Sequence, residues 1–428
     1  MTARRTHYDV RRIPALGSAS ATFPLGTGRF AAIALVIPLL LSACRKSDFP
    51  QYPPNYREFA YVTNGASGTV TVLDVVNVRV DREIAVGPNP VAVVANPERN
   101  EAYVVNSGTA YGSGSVAVID AERNALAATI PLRRQPVSID IDAAGKLAFV
   151  ANSGSNTISV VDLANRRVLA DLGAGEEPVA ARISPDGKSL VVANHRGNSV
   201  TILDPAARPP EKAVRAVFEG CPGAADIAIL PDSSKAFIAC SGGHQVMAVA
   251  LARNSSSPDA GPARPDQLEA MMDVGRNPVR LVLKPDGGEV FVCNAQSNSV
   301  SEISTPTNDV GGATLMGAGP AHGIVSSDNT LLYVSNLRSQ EVTIYSIDDG
   351  KRSGKIDVGD GPSAMAFSTA GHLLFVVDTR SGDIAVARTS ARATSSSTLG
   401  PPSPVPLFTL LPAGRGPNAI AVKSFLVK

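Results

Sequence analysis

The residues able to do chemistry are few and widely spaced. Histidine occurs five times, at His7, His195, His244, His322 and His372. No two of them fall at the short spacings by which one helix or loop presents paired metal ligands. Cysteine occurs four times, at Cys44, Cys221, Cys240 and Cys293, with no C-x-x-C-H run for covalent haem. There is no H-E-x-x-H, no G-x-S-x-G, and no glycine-rich phosphate loop between a strand and a helix. The spacing therefore predicts no catalytic set, no metal and no cofactor. What remains is recognition chemistry, chiefly arginine, whose guanidinium suits carboxylate or phosphate.

Composition narrows the partners. The 428 residues carry a formal charge of +1. Residues 1–43 hold five Arg and one Asp, leaving 34 basic against 37 acidic residues beyond them. Such balance does not favour a nucleic-acid partner. Tryptophan is absent and aromatics make up 5%, which argues against stacking platforms for bases or sugars. Four cysteines are too few for a disulfide-framework fold.

The elements that must position these residues are repeats. Eight short runs line up: AYVTN at 60–64, AYVVN at 102–106, AFVAN at 148–152, LVVAN at 190–194, AFIAC at 236–240, VFVCN at 290–294, LYVSN at 332–336 and LFVVD at 374–378. A second alternating run follows each, then a weaker third, then a turn into another apolar stretch. Those stretches begin at Pro90, Pro136, Pro178, Ala224, Pro278, Ala321, Pro362 and Pro417. Alternation of period two with β-branched residues predicts strands, and turns such as PDGK at 185–188 predict tight hairpins. Four strands per 40–50 residues is the pattern of a propeller blade. The expected fold is all-β: a single β-propeller of four-stranded antiparallel blades, eight in number, with seven as the alternative. The chain opens on a second strand and closes on a first, so the C-terminal strand is expected to complete the N-terminal blade and remove the sheet edge.

The openings, and Tyr61-Val62-Thr63-Asn64 literally, resemble the YVTN family of β-propeller repeats, over residues 58–428. That resemblance implies an archaeal surface-layer or bacterial envelope protein. The wider fold group includes lactonases and the haem d-type nitrite reductase domain, and fold alone does not assign function. At the N-terminus, a basic leader precedes the twelve apolar residues from Phe30 to Leu41. That run is too short to cross a bilayer comfortably and suits a signal-peptide core. It ends in Leu41-Ser42-Ala43-Cys44, which resembles a bacterial lipobox. The resemblance implies cleavage before Cys44 and lipidation of its thiol, hence a membrane partner through the anchor and a site in the bacterial cell envelope, facing the periplasm or the outer surface. The domains are then a signal peptide at 1–43, a Pro-rich tether at 44–57 and the propeller at 58–428.

Strand direction places the remaining candidates. The loops before the Pro-led strands and after the YVTN-like strands share one face, called upper here. A ligand face there would use Arg134, Glu177, His195, His244, Arg276, His322, Asp360 and Arg415, with ordinary solvated surface as the alternative. Aligning the Pro-led strands puts Asp140 level with Arg182, and Asp226 level with Arg280, predicting two ion pairs between neighbouring blades near the channel. Cys221 and Cys240 fall at the same end of one hairpin, where an oxidising compartment allows a disulfide. The recurring Asn64, Asn106, Asn152, Asn194, Asn294 and Asn336 read as turn residues, and Cys240 and Asp378 depart from that rule. Two functions follow. One is a non-catalytic, membrane-anchored scaffold that binds a protein or small ligand. The other is a lactonase-like hydrolase or redox accessory with its site at the upper channel mouth.

Overall fold

The computed structural model describes residues 51–110, 112–252, 264–389 and 406–427. The signal-peptide and lipidation reading, Cys44 included, lies outside them. Eight four-stranded antiparallel sheets are present. They are called blades 1 to 8 here, with innermost strands at Pro417–Leu426, Pro90–Ala95, Pro136–Ile141, Pro178–Ile183, Ala224–Ile229, Pro278–Leu283, Pro320–Val325 and Pro362–Phe367. Blade 1 is closed by the chain end. Tyr56–Asn64 pairs antiparallel with Pro417–Leu426, opposing Tyr56 to Leu426 and Val62 to Ile420. Seven blades are excluded.

Polar ties hold blade 1 on both sides. The buried Glu58 carboxylate accepts the Thr369 N–H of blade 8, and Lys423 Nζ donates to Asn96 O of blade 2 at 2.7 Å. The one helical turn among the described residues is a 3-10 turn at Pro210–Lys212. No described helix is long and apolar enough to cross a membrane.

The second strands explain the core. The aromatics of the AYVTN-like runs are buried between neighbouring blades: Tyr61, Tyr103, Phe149, Phe237, Phe291 and Phe375 are at most 1% exposed and Tyr333 is 3% exposed. Burying a side chain of this size contributes roughly 2–3 kcal/mol. The core is correspondingly divided into eight clusters, most of them joining one blade to the next.

Two backbone features recur at the head of every innermost strand. The residue before it is left-handed: Asn89 (φ 52), Gln135 (φ 50), Glu177 (φ 54), Asn277 (φ 56), or a glycine at 223, 319, 361 and 416. Immediately after it the register slips by a bulge in all eight blades. A bulge turns the strand locally, and here it turns the following residues toward the central channel.

The repeated Asn is a latch across the hairpin rather than a local turn residue. Asn64 Nδ2 donates to Thr71 Oγ1 at 2.9 Å, Asn194 to Thr201 at 2.9 Å, Asn294 to Ser301 at 3.0 Å, and Asn336 to Thr343 at 2.9 Å. In blade 5 a disulfide takes that place. Cys240 is bonded to Cys221, with Cα atoms 4.8 Å apart. Cys293 is free and buried, and burial pushes its thiol up to about 12.

Candidate functional site in the central channel

Half of the eight upper-face candidates, Arg134, Glu177, His195 and His244, are blade-to-blade fasteners. Asn156 Oδ1 accepts the N–H of Glu177 at 2.9 Å, and Asn198 and Asn298 accept those of Gly223 and Gly319 in the same way. His244 occupies this slot in blade 5, its Nδ1 accepting the Asn277 N–H at 3.4 Å. His195 Nδ1 lies 3.2 Å from the Ala224 carbonyl of the next blade. Glu177 pairs with Arg196 at 3.0 Å, and Asp360 with Arg380 at 3.3 Å. Arg134 donates to Gly154 O at 2.8 Å. Arg276 and Arg415 are exposed, and no hydrogen bond or ion pair of their guanidinium groups is found among the described residues. They stand at blades 6 and 1, and no common site joins them.

His322 lies elsewhere than the strand count from Ala321 implies. It is not in an upper loop but inside the innermost strand Pro320–Val325. Counting the strand-leading residue as first, the third positions around the ring are Ala92, Ser138, Ala180, Asp226, Arg280, His322, Ala364 and Ala419. His322 therefore shares a level with Asp226 and Arg280. Arg280 stands between them: its Nε is 3.5 Å from Asp226 Oδ2, and its Nη2 is 3.2 Å from His322 Nε2. Asp226 Oδ2 also accepts the Leu281 N–H at 3.0 Å. Three consecutive blades thus supply one chain of acid, guanidinium and imidazole.

The chain borders a central cavity of about 360 Å³ touched by all eight innermost strands. Ser138 Oγ and His322 Nδ1 are buried without a hydrogen-bond partner. Burial, and then the Arg280 charge, hold His322 well below the usual imidazole range, so at neutral pH the ring is uncharged. Arg280 is a permanent donor, so Nε2 is the acceptor and Nδ1 carries the hydrogen.

The second expected pair does not close. Asp140 Oδ2 accepts the Ile183 N–H at 2.9 Å, and Arg182 makes no ion pair or hydrogen bond among the described residues. Burial raises Asp140 above the usual carboxylate range, opposed by the more distant Arg182 charge and by backbone N–H donors. Arg182 stands two residues further along its strand than the Asp226–Arg280–His322 level, and borders the same cavity. The cavity is therefore faced by two guanidiniums, one ion-paired carboxylate and a neutral imidazole, an arrangement that favours an anion.

A larger cavity of about 570 Å³ lies on the opposite face, between hairpins of blades 7 and 8, bordered by Tyr333, Phe367 and the half-buried His372. Its serines serve their own turns, Ser326 Oγ and Ser368 Oγ accepting the N–H groups of Leu331 and Leu373 at 3.0 Å. Size alone does not make it the chemical site.

The class of protein is thus an eight-bladed β-propeller with a polar constriction in its channel. No known family profile matches the sequence. Over 98 residues the chain is 35% identical to the uncharacterized protein YncE of Salmonella typhi, a match covering 23% of this chain and 26% of that protein. Among solved structures, dihydro-heme d1 dehydrogenase NirN aligns with a TM-score of 0.64 at 14% identity, over 87% of this chain and 76% of that one. AztD of Citrobacter koseri aligns at 0.64 with 11% identity, over 87% and 99%. The periplasmic gluconolactonase PpgL of Pseudomonas aeruginosa aligns at 0.54 with 16% identity, over 87% and 99%. At these identities the likeness is one of fold.

Proposed function

We propose that this chain is a YVTN-type propeller of a bacterial cell envelope, anchored through Cys44, that holds a small organic anion in its central channel. The observation carrying the ligand reading is the unpaired Arg182 guanidinium beside the Asp226–Arg280–His322 chain, in an otherwise largely Ala- and Val-lined cavity. At about 360 Å³ the space suits a molecule of sugar-acid size. The residues offer positioned donors and no activated nucleophile, which favours binding over chemistry.

Calorimetric titration of the full-length protein with gluconate and 6-phosphogluconate tests this. Binding that weakens at least tenfold in both Arg182→Met and Arg280→Met supports it. Absence of binding for every acid sinks it. The second reading, hydrolysis of a lactone, is favoured by the unpartnered Nδ1–H of His322, a donor available to a lactone oxygen, and by the gluconolactonase named among the fold relatives. Turnover of glucono-δ-lactone, followed by acid release and lost in His322→Ala, would select it. The anchor has its own check: radiolabelled palmitate is expected to enter the wild-type chain in bacterial cells and not Cys44→Ala, and equal labelling of the two would refute it.

A further inference from the structure

Blade 8 breaks the latch rule in a way that introduces acid. Six blades end the second strand in an Asn amide, and blade 5 uses a disulfide. Blade 8 has Asp378 there, and the strand register sets it directly opposite Asp383. Asp378 is 0% exposed. Its Oδ1 and that of Asp383 are buried without a hydrogen-bond partner. The place of a Cβ on Gly359 lies 2.7 Å from both Asp378 Oδ2 and Asp383 Oδ1, so the two carboxyl groups crowd one spot. Like charges opposite each other on paired strands repel, and a fully buried carboxylate set against a half-buried one makes ionising both costly.

We infer that Asp378 and Asp383 share one proton, and that this proton is the latch of blade 8, so that the blade loosens as the pH rises. A bound cation is a poorer fit, because the Gly359 N–H points at Asp378 Oδ2 from 2.9 Å. Burial first, and then the neighbouring Asp383, raise the Asp378 carboxyl well above its usual range despite that donor.

The surroundings offer no competing charge at the spot. The innermost and outermost strands of the blade, Pro362–Phe367 and Leu407–Pro412, carry no titratable side chain. Arg388 lies at the far end of its strand, opposite Leu373. In the flanking loops, Arg380 pairs with Asp360 and donates to Leu337 O. On blade 7, Lys355 is held by Asp357 at 2.7 Å and Glu341 at 3.9 Å. On the side of blade 1, the buried Glu58 faces Thr369 at the other end of the sheet.

The sign follows from proton binding. The folded pair keeps a proton that unfolded aspartates release near pH 4. Stability is therefore full below that pH and falls as pH rises, until the folded pair also ionises. One proton of difference is a tenfold loss in the folding equilibrium constant per pH unit.

The experiment is thermal and urea unfolding of the full-length chain from pH 5 to 8, with hydrogen exchange read in blade 8. Wild type is expected to lose stability steadily across that range, with blade 8 amides opening first. Asp378→Asn, which restores the amide of the other blades, is expected to be nearly flat and to overtake wild type toward pH 8. Asp383→Thr supplies the hydroxyl partner instead and is expected to flatten the curve too. Unchanged slopes in both variants, or exchange spread evenly over all blades, would overturn the inference.

Discussion

Arg280 decides the chemistry at the scale of single residues. It satisfies Asp226, whose side chain is 7% exposed, and saturates one nitrogen of His322. Removing one member of such a pair costs more than removing both, because the survivor is left desolvated. Arg280→Met is expected to destabilise folding by about 1–3 kcal/mol, the cost of leaving Asp226 unsatisfied, since Arg280 is itself partly exposed to the channel. Adding Asp226→Asn is expected to recover a substantial part of that loss. A double-mutant cycle in urea checks it, and strictly additive effects would show that the pair is not coupled. The Asp226–Arg280 pair was legible in the sequence because the strand-leading residues fix a common count. The same count holds for His322, two positions after Pro320. The signal is present in the sequence, but a strand begun at Ala321 and not at Pro320 displaces His322 toward the preceding loop. Asp140 and Arg182 share a level too, yet Asp140 takes the Ile183 N–H, and no residue count reports which donor a carboxylate selects.

Each hairpin, as an element, is locked at the upper end of its second strand by whatever chemistry the sequence supplies there: an amide, a disulfide or a shared proton. The disulfide closes a separation of 19 residues. In the chain-entropy account a loop of that size is worth about 3 kcal/mol. Cys221→Ser/Cys240→Ser is expected to lower stability by that order in oxidising buffer and to match the wild type once a reductant has opened the bond in both. Equal midpoints under oxidising conditions would mean that the bond does not form. Strand existence and order were readable from period-two alternation and turn residues. The bulge after each strand-leading residue was not, because it is set by closure of the turn and not by side-chain pattern. The exposed His195 and His244 show the same limit. Their type suggested ligands, while their place at the turns makes them ties between blades.

At the scale of the whole molecule, the propeller strands form a ring, and ring closure turns eight marginal sheets into one structure. Each blade buries its faces only against its neighbours, and blade 1 closes the ring by pairing the N-terminal and C-terminal strands over nine residue pairs, from Tyr56 to Asn64, the longest strand pairing among the described residues. The sequence by itself determined the strand order, this closure and a count of eight blades with seven as the alternative, because periodicity is a local property that repeats along the chain; the structure excluded seven. The sequence also determined which residue types were on offer, and so excluded most familiar reaction centres. Only the tertiary structure decided which of those residues meet. Asp226, Arg280 and His322 lie 54 and 42 positions apart in the chain and touch because neighbouring blades rotate the same strand position onto one level of the channel. Asp378 and Asp383 are close in sequence, but their shared burial depends on Gly359 from a neighbouring loop packing over them. Convergence of this kind is a property of the closed ring, since the spacing between blades sets distances that no single repeat contains.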